Sequence, residues 1–167
     1  TTKRHPAKMQ GRLSADRYGT ITGMVFEGDF NTGAYASWGP TVATRVPIHA
    51  SGPYRVPHYF AEASAIHTNG PVAGAFRGFG VPQAALLQEK LMDRLADAVG
   101  LDRLQIRIQN ALRDGDRTVC GQQLHGVGIA ECLTALSDGW QAAGDRVAKF
   151  NAANKHVKRG IGVASCW

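Results

Sequence analysis

Cysteine, acidic charge and long apolar runs are scarce in this sequence, and each shortage removes a class of protein. Three cysteines, Cys120, Cys132 and Cys166, are scattered through 167 residues without a C-x-x-C pair. Such a set supports neither a zinc knuckle nor a disulfide framework, and it lacks the grouped thiolates that hold iron–sulfur clusters. They read as reduced thiols of a cytoplasmic protein. No apolar stretch approaches the ~20 residues of a membrane helix, and the basic opening Thr1-Thr2-Lys3-Arg4-His5 leads into no apolar signal core. The chain is therefore expected to be soluble, with no membrane span and no export signal. Acidic groups are outnumbered, 13 against 19 basic ones, for a net charge of +6. Clustered bases would attract phosphates. Here they gather only loosely near the start (Lys3, Arg4, Lys8, Arg12) and the end (Arg146, Lys149, Lys155, Lys158, Arg159). No aromatic stacking pattern runs between them, so nucleic acid is not an expected partner.

What is present is enough apolar material, 44% of residues, for one compact core. Lys8–Ala15 reads as extended, Asp16–Gly19 as a turn, and Thr20–Asp29 as an alternating return strand. A further strand fits His58–His67. Between them lies a stretch holding Trp38, Arg45 and His49, where Pro40, Pro47, Pro53 and Pro57 limit helix to short pieces. A strong helix begins near Pro82 and ends at Gly100, with Ala84, Leu87, Leu91, Leu95 and Val99 as its buried stripe. Asp102 caps a second helix carrying Leu104, Ile108 and Leu112, and Asp114-Gly115-Asp116 breaks the chain. Ile129, Cys132, Leu133 and Leu136 mark a third helix; Trp140, Ala143, Val147 and Phe150 mark a fourth. Helical apolar stripes normally face a core, and packing is the role given to these. The expected class is α+β, antiparallel strands first and several helices after. The closing run Arg159–Trp167 reads as the opening of a strand left without a partner. Complete domains cover such edges, so the chain is expected to be part of a longer polypeptide.

One segment carries the chemical interest. Thr68-Asn69-Gly70-Pro71-Val72-Ala73-Gly74 bends sharply into Ala75-Phe76-Arg77-Gly78-Phe79-Gly80, directly before the strong helix. Glycines let a backbone approach a ligand closely. The following helix start adds free N–H groups and a positive dipole end, which favour anionic atoms. By spacing alone, a tight turn with two buried phenylalanines serves equally well.

The string Gly74-Ala75-Phe76-Arg77-Gly78-Phe79-Gly80-Val81-Pro82-Gln83 resembles the signature loop of molybdenum hydroxylase large subunits, the xanthine dehydrogenase and aldehyde oxidase family. The resemblance extends to Arg4-His5-Pro6, Gly52-Pro53-Tyr54-Arg55-Val56-Pro57, Asn110-Ala111-Leu112 and Gly115-Asp116, and so covers nearly the whole chain. It implies that residues 1–167 are part of the molybdopterin-binding domain of a larger hydroxylase subunit. It implies too that Gly74, Ala75, Phe76, Arg77 and Gly78 lie against the molybdopterin cofactor and that Phe79 stacks on a flat substrate. Arg45 stands 34 residues before Phe79, the separation between the active-site arginine and the stacking ring in xanthine dehydrogenases. Its fixed charge suits a negative charge developing on an attacked heterocycle. Gln83 is expected to orient the loop, and Glu89 to belong to a solvated face.

The activity implied is hydroxylation of N-heterocycles or aldehydes with water-derived oxygen. The general base of the family, a glutamate in a Gly-Glu motif, is missing: neither Glu27 nor Glu62 sits in one. Iron–sulfur clusters and FAD are expected on other domains or subunits, and the remainder of the molybdenum subunit as a partner. His49, His67 and His125 fit no zinc template, so no metal ligand is assigned. The alternative is a non-catalytic cofactor-handling or interaction module of the same fold.

Overall fold

A computed structural model of the chain describes residues 2–167. Its elements, in order, are β1 (Ala7–Ala15), β2 (Ile21–Gly33), α1 (Gly39–His49), β3 (His58–His67), α2 (Val81–Val99), α3 (Arg103–Asn110), α4 (Ile129–Thr134) and α5 (Ser137–Ala153). β1 and β2 form an antiparallel hairpin whose turn is built by Asp16: its carboxylate accepts from the N–H groups of Tyr18 and Thr20, at 2.9 and 3.0 Å. This is the side-chain mimicry of a turn that favours Asp there. β3 then pairs with β2 in parallel, Met24 opposite Tyr59 and Phe30 opposite Ala65. The strands are thus not all antiparallel. Parallel neighbours need a crossover, and α1 supplies it.

That helix is longer than its prolines implied. Pro40 sits in the first turn, where a missing N–H costs nothing, and Pro47 is carried inside the last turn. Burial of Ala43 and Val46 against the sheet, and of Val42 beside Gly80, offsets the lost bond. The main core lies between the sheet, α1 and α2, around Met24, Phe26, Phe30, Ala43, Val46 and Ala84. On α2 the fully buried line is Ala84, Gln88, Met92 and Ala96, while Leu87, Leu91, Leu95 and Val99 are half-buried along its flank. Gly11 explains the shift: a Cβ there would lie 2.9 Å from Leu91 and 3.1 Å from Leu87, so its absence seats those leucines on β1.

A second correction concerns Glu89, which is buried at 8% exposure rather than solvated. It accepts from Arg107 Nε at 2.7 Å, Tyr54 Oη at 2.7 Å and Gln88 Nε2 at 2.5 Å. Arg107 is fully buried and reaches Asp93 at 2.9 Å as well. The network ties α2 to α3 and to the turn around Tyr54; Ser165, 2.7 Å from Tyr54 Oη, attaches the final segment to it. Burial and the neighbouring Glu89 push the Tyr54 phenol well above its ordinary pKa. That segment, after α5, forms no strand; Ser165 on Tyr54 and Trp167 on the His49 ring fasten it through side chains instead. Cys132 and Leu136, read as core positions, are exposed; the short α4 buries only Ala130 and Leu133. Asp102 caps α3 as expected, accepting from Leu104 and Gln105 at 2.8 and 3.1 Å.

Candidate functional site

Three backbone anchors deliver the glycine-rich segment to the surface. Ala73 donates to Thr32 at 2.9 Å, Lys3 bridges Ala73 in parallel, and Gly74 donates to the Lys3 carbonyl at 3.1 Å. Beyond Gly74 the chain leaves the core. Ala75, Phe76, Arg77 and Gly78 are all exposed, and among the described residues their N–H groups donate to no protein acceptor. The bend closes with Phe79 donating to the Phe76 carbonyl at 2.8 Å and Val81 to that of Gly78 at 3.0 Å.

Gly78, Phe79 and Gly80 all carry positive φ, +88°, +46° and +98°. For phenylalanine this is an uncommon, costly conformation of the kind that surrounding structure must enforce, and it gathers at functional sites. The enforcement comes from α1: a Cβ on Gly80 would lie 2.9 Å from Val46 Cγ2 and 3.1 Å from the Val42 carbonyl, so the turn is seated directly on that helix. α2 starts at once, with no acidic residue in its first turn to offset the positive end of its dipole.

The same docking brings the two singled-out side chains together. Phe79 and Arg45 both line an open recess of about 480 Å³, completed by Pro40, Thr41, Thr44 and Ile48. Arg45 makes no ion pair among the described residues, which leaves its charge available. Trp38 stands behind the stacking ring, edge-on to it with centroids 6.1 Å apart and planes at 69°. The sequence marks Trp38 only as part of the stretch before β3; its contact with Phe79 depends on where α1 starts and on how the distant loop docks against that helix. His49, one turn beyond Arg45, packs against the Trp167 ring at 5.2 Å. Its pKa is lowered by burial and then by the Arg45 charge, so the neutral imidazole is favoured. The Gln83 amide makes its hydrogen bond to the His5 carbonyl, at 3.2 Å, and so steadies the segment that carries Arg4.

A larger hollow of about 650 Å³ lies elsewhere, between α2, α3 and Val163–Ala164. Its walls are the paired charges Asp93, Arg103 and Arg107, which satisfy one another and leave no comparable donor row. No group of three or more His, Cys, Asp or Glu side chains among the described residues is placed to hold a metal ion.

Fold and site together describe a strand-and-helix body that presents bare main-chain donors and an aromatic ring beside a cation with no ion pair among the described residues. The family model for the molybdopterin cofactor-binding domain matches residues 1–111, and the chain belongs to that family. The nicotinate dehydrogenase large molybdopterin subunit of Eubacterium barkeri is 45% identical over 134 residues, spanning 80% of this chain and 32% of the relative. The xanthine dehydrogenase molybdenum-binding subunit of Escherichia coli O157:H7 is 33% identical over 167 residues, 98% of this chain and 22% of that one. Among solved structures, the aldehyde oxidoreductase of Desulfovibrio gigas superposes with a TM-score of 0.86 at 30% identity, over 89% of this chain and 16% of that one. The chain therefore spans a third or less of the length of these relatives. Its α+β architecture, three-stranded sheet and helices are those of the molybdenum-cofactor-binding domain, and molybdopterin is the cofactor of its class.

Proposed function

We propose that residues 1–167 are part of the molybdopterin-binding domain of a larger hydroxylase subunit, and that they form one wall of its cofactor and substrate cavity. The residues present fit the cofactor chemically: four exposed N–H groups without acceptors, next to an uncompensated helix start, suit an anionic pterin group. Ala75, Phe76, Arg77 and Gly78 would hold it through main chain, with Gly74, whose N–H is already given to Lys3, anchoring the row. When bound, molybdopterin supplies the redox metal for inserting water-derived oxygen into an electron-poor carbon.

The observation that carries the reading is that Arg45 and Phe79 share one recess beside this donor row. Phe79 stacks the flat face of an N-heterocycle or an aromatic aldehyde, a contact of ~0.5–1.5 kcal/mol beyond area. Arg45 stabilises negative charge as it develops on a heterocycle, and its presence favours N-heterocycles over simple aldehydes. Exposed Tyr35, Trp38, Phe60 and Leu86 support a covering partner, since apolar surface of this kind marks interfaces. The remainder of the subunit, with iron–sulfur and flavin partners to carry electrons away, completes a cytoplasmic oxidoreductase.

The test is the assembled enzyme carrying Phe79→Ala or Arg45→Met, assayed on a purine, a pyridine carboxylate and an aldehyde. Phe79→Ala should raise KM at unchanged molybdenum content. Arg45→Met should lower kcat on the heterocycles by about 10²-fold and spare the aldehyde. Unchanged turnover on every substrate class in both variants would remove the recess from the reaction. An assembly that forms fully without molybdenum would favour a non-catalytic module.

A further inference from the structure

The motif arginine, Arg77, enters the hydrogen bonds around the loop through its carbonyl alone among the described residues; the guanidinium that works there belongs to Arg4. Its Nη2 donates to the Arg77 carbonyl at 2.7 Å, and its Cζ lies 4.8 Å from the centroid of the Phe76 ring. Its Nη1 is buried with no acceptor among the described residues, and a Cβ on Gly78 would fall 3.8 Å from it. One planar group therefore touches the loop at two consecutive residues, Phe76 and Arg77, and lies beside Gly78. The neighbours of Arg4 fix its position: Lys3 takes the Gly74 N–H and bridges Ala73, while buried His5 takes the Gln83 amide.

Between Gly74 and Phe79, among the described residues, Arg4 is the one side chain from outside the loop that hydrogen-bonds it. Ala75 to Gly78 form no helix or strand, and their N–H groups are free. We infer that Arg4 is a positioning residue for the cofactor loop, holding the main chain of Phe76–Gly78 in the shape that receives an anionic group and placing a fixed positive charge behind it. This rests on the reading that the loop binds molybdopterin. Lysine would keep the charge but lose the planar fork and the stacked face. Preorganisation of this kind acts on affinity, because a loop already in its bound shape loses less freedom on binding.

The experiment uses the full subunit with and without its cofactor, as wild type, Arg4→Gln, Arg4→Lys and Phe76→Leu. Molybdenum per protein, amide exchange by residue and Tm are measured. Arg4→Gln should lower molybdenum content about tenfold, the usual scale for losing a group that orients a ligand set. In the cofactor-free protein it should speed exchange at the Gly74 and Phe79 amides while leaving the α2 core unchanged. Arg4→Lys and Phe76→Leu should each produce an intermediate loss. Unchanged molybdenum content and unchanged Gly74 and Phe79 exchange in Arg4→Gln would overturn the inference. So would a molybdenum loss that comes with faster exchange throughout α2, which marks a fold-wide effect. The underlying reading is tested separately by wild type: cofactor loading should protect the Ala75–Gly78 amides, and if it does not, the loop is not the binding surface whatever Arg4 does.

Discussion

Glu89→Ala is the substitution whose cost the structure determines most sharply, because it opens the buried network between α2 and α3. Arg107 is fully buried, and Glu89 gives it the closest of its carboxylate contacts at 2.7 Å. Breaking a buried pair by removing one partner costs about 3–5 kcal/mol, since the remaining charge is left unsolvated. Asp93 still reaches Arg107 at 2.9 Å, and Tyr54 keeps Ser165 at 2.7 Å, so the lower end, about 3 kcal/mol, applies. For a chain of this size that is roughly 6–12 °C in Tm. Asp97→Asn is the control: Arg103 and Asp97 meet at 3.2 Å on an exposed surface, where a pair contributes under about 1 kcal/mol. Thermal and urea unfolding of both variants measures the difference. If Glu89→Ala cost no more than Asp97→Asn, the network would be solvated and the reasoning from burial would be refuted.

Gly80→Ala should destabilise by about 1–2 kcal/mol from its φ of +98° alone, with overlap against Val46 adding to it; Tm and the exchange of the Phe79 amide report both. Asp102→Ala should cost about 1 kcal/mol as a lost helix cap, read by urea unfolding. Partial burial works against ionising Asp102, but the Trp140 indole and the Gln105 and Leu104 amides outweigh it and hold its pKa below the ordinary 3.8. Its contribution is therefore present above that value and is lost as pH falls through the lowered one. Burial lowers the pKa of His5 and His49, with Arg45 adding to the effect at His49. The unfolded chain then binds their protons more readily, so stability should decline as pH falls below about 6.5. A His5→Gln, His49→Gln protein should flatten that decline in a Tm series; an identical slope would exclude both groups.

Much of this fold is written locally. β3 spans the His58–His67 run, α2 ends at Gly100, and α3 starts on its Asp102 cap, each fixed by alternation, a glycine or a side-chain bond within a few residues. What escaped the sequence depends on distant partners. The parallel pairing of β3 follows from α1 crossing over, and α1 persists past Pro47 because Ala43 and Val46 find the sheet. Glu89 looks like a surface charge until Arg107, eighteen residues on, is folded against it. The same division runs through the site. The motif residues were legible as a string with unusual glycine and aromatic content, whereas Arg4 lies 73 residues from the carbonyl it holds and Trp38 touches Phe79 across a separate helix start. Only Arg4-His5-Pro6, with its own resemblance to the family, hinted that the beginning of the chain belonged beside the loop.

A structure of the assembled, cofactor-loaded enzyme is the most direct measurement of the central claim. The pterin should lie within about 3 Å of at least two of the Ala75–Gly78 N–H groups, with Phe79 and Arg45 facing the substrate space. A cofactor held by other segments, with this loop turned to solvent or to a neighbouring domain, would contradict it.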